Sequence, residues 1–123
     1  MLKMKIMKKI FAILTLLTAI LVSYADNQPS FPGGESALKK YISENTRYPE
    51  MAKENGIEGI VMVGFVVMTD GSLEEIKIIR FIDPDLEKEA IRVVSGMPAW
   101  IPAEKNGTPI EAPSKVDVPF ILE

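Results

Sequence analysis

The chain has 123 residues, of which 47% are hydrophobic and 25% are charged, and this composition suits one globular domain but not two cores of normal size. It contains neither histidine nor cysteine, so the commonest general base and the commonest ligands of zinc, haem and iron–sulfur clusters are missing, and no disulfide can form. We therefore expect a binding protein rather than an enzyme, with no cofactor, no metal and no small-molecule substrate.

The N-terminal segment has the three parts of a secretory signal peptide. Residues 1–9 carry lysines and no acid, residues 10–22 are an apolar run, and the small residues Ser23 and Ala25 precede a cleavage point after Ala25. The apolar run is shorter than the roughly 20 residues that a membrane-spanning helix needs. Residues 1–25 are therefore predicted to be a signal peptide that is cleaved on export, and the alternative is an uncleaved anchor in the inner membrane.

Loss of the signal peptide makes the remaining domain strongly acidic. Four of the 14 lysines and arginines, but none of the 17 acidic residues, lie in residues 1–25, so the net charge changes from −3 to −7. An acidic domain is repelled by phosphate backbones. Nucleic acid is therefore not expected as a partner.

A linker and two helices are predicted next. Residues 26–34 are polar and rich in proline and glycine, which favours a short linker ahead of a domain that spans residues 35–123. Residues 35–45 place apolar side chains on one face at helical spacing. Tyr48-Pro49 ends that helix, and Pro49 can begin a second short helix because the first turn needs no N–H from it.

Two strands follow the helices. Residues 57–69 alternate between apolar and other side chains in the manner of a half-buried strand, and an Asp-Gly turn leads into a returning strand over residues 73–81. Leu73 and Ile76 fall on opposite faces of this second strand. If both face the core, a bulge must lie between them.

A third helix and a last strand complete the domain. The helix is predicted to begin at Asp83-Pro84, with aspartate as its cap. The last strand covers residues 114–122, and Pro119 removes a ladder donor from it, so this strand should lie at an edge of the sheet. Together the elements predict an α+β fold, a small antiparallel three-stranded sheet packed by two to three helices.

Several short motifs follow one another along residues 31–120, and together they resemble the C-terminal domain of TonB-family energy transducers. The motifs are Phe31-Pro32-Gly33-Gly34-Glu35, Tyr48-Pro49, Asn55-Gly56, Asp70-Gly71-Ser72, Asp83-Pro84, Met97-Pro98, Trp100 and the closing Val116-Asp117-Val118-Pro119-Phe120. The resemblance implies a periplasmic domain that captures the TonB-box peptide of a TonB-dependent outer-membrane receptor by strand addition, in energy-dependent transport across the membrane.

The resemblance also implies a peptide-binding surface on the last strand, which the edge position predicted above would leave free to pair. For Tyr48 and Pro49, which lie close by, the alternative is a helix break that packs on the core. The candidate peptide-binding residues are Val116, Asp117, Val118, Pro119, Phe120, Ile121, Tyr48 and Pro49.

The chain departs from a full transducer in its N-terminal part. Such a transducer has an uncleaved membrane helix and a long proline-rich periplasmic rod, whereas residues 26–34 could span only about 30 Å at ~3.5 Å per residue. Coupling to the inner-membrane motor in the family's usual way is therefore not expected.

The outer face of the sheet is predicted to be mostly apolar. A solvated face would be polar, so we interpret it as a self-association or partner surface; the alternative is cover by the linker or by residues 100–110. This leaves a second functional hypothesis, a stand-alone periplasmic interaction protein that self-associates through this face, as a homodimer or a subunit, with no transport energy coupling. The candidate self-association residues are Met62, Val66, Met68, Ile79 and Phe81.

Overall fold

The computed structural model describes residues 26–123, and the predicted signal peptide, residues 1–25, lies outside the described residues. Strands β1, β2 and β5 form one antiparallel sheet in the order β2-β1-β5, and β3 and β4 form a separate hairpin. The α+β fold predicted from the sequence is thus confirmed. In chain order the elements are α1 (Gly34–Asn45), α2 (Glu50–Glu54), β1 (Gly59–Val67), β2 (Leu73–Arg80), α3 (Pro84–Ser95), β3 (Ala103–Lys105), β4 (Thr108–Ile110) and β5 (Ala112–Phe120).

The core lies between one face of the sheet and the helices. Alternate residues of β1, from Val61 to Val67, are at most 2% exposed, as the period-2 pattern predicts. Helix α3 packs on them through an apolar stripe that includes the fully buried Leu86. The carboxylate of Asp83 caps this helix, because it accepts the amide of Leu86 at 3.2 Å. Within residues 26–123, no helix has the length and apolar content needed to cross a bilayer.

Strand β2 is an irregular edge of the sheet. Its pairing with β1 shifts register between Gly64 and Val66, where Glu75 adopts a left-handed φ of 53°. This is the bulge that the opposite parity of Leu73 and Ile76 predicts. A second shift lies between Met62 and Val63 of β1.

Strand β5 is a regular edge. It pairs with β1 residue for residue from Ala112 to Phe120, with no shift of register, and no other strand of residues 26–123 pairs with its far side. The edge position that Pro119 predicts is therefore confirmed.

The segment before α1, which the sequence predicts as a short linker, is bound along the domain. Ser30 exchanges two backbone hydrogen bonds with Ile101, of 2.8 and 3.0 Å, and Asn27 accepts the amide of Glu104 at 2.6 Å. Phe31 is only 7% exposed. The buried ring of Phe31 and the hydrogen bonds of Asn27 and Ser30 therefore hold the segment against the domain.

Residues 103–110 form a short hairpin around an Asn106-Gly107 turn, and its two strands are not among the predicted elements. The turn is present, and Asn106 and Gly107 have positive φ angles of 53° and 77°, which suit a two-residue hairpin. The strands on either side of it are three residues each. Strands this short carry too little alternation to be recognised in a sequence.

Candidate functional site

The side chains of β5 alternate between the core and the outer face of the sheet. Val116, Val118 and Phe120 are at most 4% exposed and face the core. Lys115 and Asp117, at the alternate positions, are exposed on the other face. The strand therefore shows solvent a charged outer face and an unpaired backbone edge.

The parity of two prolines fixes which backbone groups of β5 face that free edge. Pro113 and Pro119 lie six residues apart and so share one orientation, and the proline nitrogen is tolerated in a sheet where it points away from the neighbouring strand. The amide of Leu122, which has the opposite parity, points towards β1 and donates to the Glu58 carboxylate at 2.5 Å. The backbone groups of Lys115 therefore point outwards, as do those of the two prolines.

The parity of β1 gives the same assignment. The amide of Met68 donates to the carbonyl of Ser72 at 2.8 Å, on the β2 side, so even-numbered residues of β1 bond towards β2 and odd-numbered ones towards β5. Val61 pairs with Val118 and Val63 with Val116. These even residues of β5 thus bond to β1, which leaves the N–H and C=O groups of Lys115 and Asp117 without a partner strand among residues 26–123.

Helix α1 runs beside this edge in the same direction as β5. At one end Phe31, just before α1, contacts Trp100 at 5.9 Å between ring centroids, and Trp100 contacts Phe65, which pairs with Ser114 near the start of β5. At the other end, Tyr48 follows α1 and packs against the last residue of β5. The helix and the strand are thus two walls of one channel.

A groove of about 830 Å³ lies between these walls, which is within the range of ligand sites. The α1 residues that line it recur at spacings of three and four, so they form one stripe along the helix. The apolar side chains Leu38 and Ile42 form the side of the stripe next to the core, and polar or charged side chains form the other side. The lining residues from α1 and its C-cap are Glu35, Leu38, Lys39, Ile42, Ser43 and Thr46.

Hydrogen bonds to α3 hold α1 beside the strand edge. The Tyr41 hydroxyl donates to the carbonyl of Val93 at 2.9 Å. Arg92 donates from Nη2 to the carbonyl of Asn45 at 2.8 Å and to the Glu89 carboxylate at 2.8 Å. The hydrogen bond from Arg92 lowers the pKa of Glu89 below its ordinary value. The groove is therefore preformed by contacts on the far side of α1.

Tyr48 closes one end of the groove. Its hydroxyl donates to the carbonyl of Ile57, and desolvation, together with the carboxylate of Glu58, raises the pKa of this phenol above its ordinary value. Tyr48 therefore packs on the core and lines the groove at once, so the two alternatives for this residue are compatible.

Six of the eight candidate peptide-binding residues line the groove, namely Val116, Asp117, Pro119, Phe120, Ile121 and Tyr48. Val118 is 0% exposed and points into the core, and Pro49 lies at the N-cap of α2. The α1 stripe, Ile60, Met62, Lys115 and Glu123 also line the groove, and none of them is among the peptide-binding candidates predicted from the sequence. The spacing of polar residues beside Leu38 and Ile42 is the one signal that could have suggested this second helix face.

The candidate self-association residues are half-buried or exposed, Phe81 lies just after the end of β2, and charged residues flank the set. Ile79 and Phe81 are 51% and 73% exposed, whereas Met62, Val66 and Met68 are half-buried. Arg80 and Asp117 lie opposite Met62 on the two neighbouring strands. The apolar strip of β1 is thus bordered by charge on both sides.

Comparisons with known proteins place this fold in a family. The family model of the Gram-negative bacterial TonB protein C-terminal domain matches residues 44–122. Two proteins of different Helicobacter pylori strains, both named Protein TonB, are 43% and 40% identical to this chain over 53 residues, which is 43% of this chain and 19% of each relative. The match thus spans about a fifth of the length of those relatives.

Solved structures agree with this assignment. Two solution structures of the TonB C-terminal domain of H. pylori match with TM-scores of 0.53 and 0.50, at 28% and 26% identity. The matches cover 69% and 70% of this chain and 77% and 90% of those chains. Because the family model covers more than half of the chain, the chain belongs to the TonB C-terminal domain family.

Proposed function

We propose that residues 26–123 form a periplasmic binding domain that captures the TonB-box peptide of a TonB-dependent outer-membrane receptor as an added strand on β5. The observation that carries this proposal is the difference between the two edges of the sheet. The β5 edge is regular over its whole length, whereas the β2 edge is interrupted by two shifts of register. Strand addition needs an edge strand without breaks in its register, and bulges are a common means of preventing it.

The groove supplies what an added strand needs besides backbone bonds. Every second side chain of an added strand would point towards α1, where Leu38 and Ile42 offer apolar contacts. The side chains between them would lie beside Lys115 and Asp117 on the outer face. The peptide that fits best is therefore extended. Its side chains are apolar at alternate positions, and those between them lie on the exposed outer face.

We infer that this capture serves transport coupled to energy, because the chain belongs to the family of TonB C-terminal domains. The sequence match covers only about a fifth of the length of the TonB relatives. The link to an energy source is therefore supported by membership of the family alone. Receptor capture rests on the groove as well.

A titration of the domain with peptide tests the proposal. The solution structures of TonB C-terminal domains show that such domains fold alone, so residues 26–123 can be labelled with ¹⁵N and titrated with synthetic TonB-box peptides. We expect the largest amide shifts at Lys115 and Asp117, whose N–H groups are free. Shifts confined to residues outside the groove at saturating peptide would contradict the proposal.

A pair of variants at one position separates the backbone from the side chain. Asp117→Pro removes both the carboxylate and the outward amide, whereas Asp117→Ala removes the carboxylate alone. If the peptide pairs with the strand edge, the proline variant should bind about 2- to 12-fold more weakly than the alanine variant, the equivalent of one hydrogen bond. Equal affinities of the two variants would exclude backbone pairing at this residue.

The second candidate function, self-association through the outer face, is favoured by the exposure of Ile79 and Phe81. It requires a dimer that Phe81→Lys dissociates, because the added charge would be buried in the interface. Light scattering at high protein concentration decides the matter. A wild-type domain that is already monomeric would eliminate this candidate.

A further inference from the structure

The free edge of β5 has an unequal number of donors and acceptors. Between residues 113 and 119, four residues direct their backbone groups outwards, and two of these, Pro113 and Pro119, have no N–H. The edge therefore offers four carbonyl acceptors but only two amide donors, those of Lys115 and Asp117. Any strand that pairs with it must supply the missing donors itself.

We propose that Pro113 and Pro119 make this edge selective for a proline-free strand from another protein and against a second copy of β5. This inference rests on the proposed function, strand addition at β5, and concerns which strands the edge accepts. The selectivity follows from a count of the N–H groups that each pairing can supply, since every ladder hydrogen bond needs one donor.

A proline-free peptide of seven residues can form six ladder bonds with this edge. Four of its residues face β5, and each can donate its amide to one of the four outward carbonyls. The amides of Lys115 and Asp117 donate two further bonds to the peptide. In such a pairing all four outward carbonyls of β5 are satisfied.

Two copies of β5 can form at most four ladder bonds in any register or orientation, because each copy contributes only two outward amides. At least four outward carbonyls then find no partner in the ladder. Charge does not oppose this pairing, since Lys115 of one copy can lie opposite Asp117 of the other. The shortage of donors is thus the feature that separates self-pairing from capture of a peptide.

Replacement of both prolines changes the two pairings by different amounts. Pro113→Ala with Pro119→Ala adds two outward amides to each copy, so the peptide complex gains two bonds and the self-pair gains four. With about 2- to 12-fold per bond, peptide affinity should rise roughly 5-fold or more, and self-association should rise about 30-fold or more. Self-association should therefore increase by a larger factor than peptide affinity does.

The test combines sedimentation velocity over a range of protein concentrations with a titration of a seven-residue, proline-free TonB-box peptide. We expect the double variant to show concentration-dependent dimers and the wild type to show none at the same concentrations. Pro109→Ala, which changes an exposed proline of β4 outside the groove, is the matched control and should behave as the wild type. Circular dichroism of each variant verifies that the fold is kept.

The outcomes separate this inference from the proposed function. If the wild type binds the peptide but the double variant neither dimerises nor binds it more tightly, the role of the prolines is refuted and strand addition at β5 stands. If the wild type binds no peptide, the proposed function fails, and dimers of the double variant would still show that the prolines protect the edge. Equal increases in both affinities would also refute the donor count.

Discussion

The ring of Tyr48 meets the ring of Phe120 edge-on, with the ring centroids 5.6 Å apart and the ring planes at 88°. Tyr48 follows α1 and Phe120 ends β5, so this one contact joins the two walls of the groove at its closed end. Edge-to-face packing of this kind is a favourable geometry for aromatic pairs. The groove width at this end is therefore set by the core and not by a ligand.

Two substitutions of Tyr48 should separate the ring contact from the hydrogen bond. Tyr48→Phe keeps the ring on Phe120 and loses only the bond from the hydroxyl to Ile57, whereas Tyr48→Ala loses both. We expect a small drop of the urea midpoint for the phenylalanine variant and a larger one for the alanine variant. Equal midpoints for the two variants would mean that the ring contact adds no stability.

Glu89 should make the stability of the domain sensitive to acid. Its carboxylate accepts hydrogen bonds from Arg92 at 2.8 Å and from the amide of Arg47 at 2.6 Å, and these bonds lower its pKa. Because the folded pKa is lowered, this stability is present above the ordinary value of 4.5 and is lost as the pH falls through the folded pKa.

Glu89→Gln tests this dependence. At pH 7 we expect the variant to unfold with about 0.5–1 kcal/mol less free energy than the wild type, a figure reduced for the solvent exposure of Arg92. At pH 3 the difference should shrink, because the wild-type carboxyl is becoming neutral too. Urea unfolding at both pH values measures it, and a difference that stays constant with pH would show that the ionised carboxylate is not involved.

Substitution of Val118 should lower the free energy of unfolding, whereas substitution of its neighbour Asp117 should leave it nearly unchanged. The Val118 side chain is 0% exposed, so Val118→Ala leaves a cavity and should cost about 2 kcal/mol of unfolding free energy. Asp117→Ala changes an exposed side chain and should stay within about 0.5 kcal/mol of the wild type. Denaturant unfolding of both variants checks this, and similar costs would mean that the alternation of β5 has been assigned to the wrong faces.

Gly71 and Gly107 offer a matched test of steric room. Both have positive φ angles, of 87° and 77°, but a Cβ on Gly71 would lie 2.2 Å from the carbonyl oxygen of Trp100, while a Cβ on Gly107 would meet nothing within 4 Å. Gly107→Ala should cost about 1–2 kcal/mol, the penalty of the left-handed conformation. Gly71→Ala should cost clearly more, because backbone must also move. Thermal unfolding compares them, and equal losses would contradict the close approach to Trp100.

The fold was largely predictable because local patterns decide it. Pro119 excludes a central strand, the parity of Leu73 and Ile76 requires a bulge, and Asp83-Pro84 marks a helix start, so each of these follows from a few neighbouring residues. The burial of Phe31 was not predictable, since its partner Trp100 lies far away in the sequence. Contacts of that kind depend on how the elements pack.

Of the two walls of the groove, only β5 was predictable from the sequence. The alternation of β5 indicates an edge strand, but nothing in the sequence places α1 along it, because a helix with apolar side chains on one face can pack in many positions. Leu38 and Ile42 belong to the predicted apolar face of this helix and lie in the core. The position of α1 beside the groove depends on its hydrogen bonds to α3, and these bonds join residues about fifty positions apart in the sequence.

The two bulges of β2 also limit how many strands one domain can take. A sheet that is regular at both edges can add a strand on each side and so grow without end, as in fibrils. Here one edge is interrupted, so each domain can accept a single strand, and the complex with a peptide should have a stoichiometry of one to one. Even where two domains meet, assembly would stop at the pair.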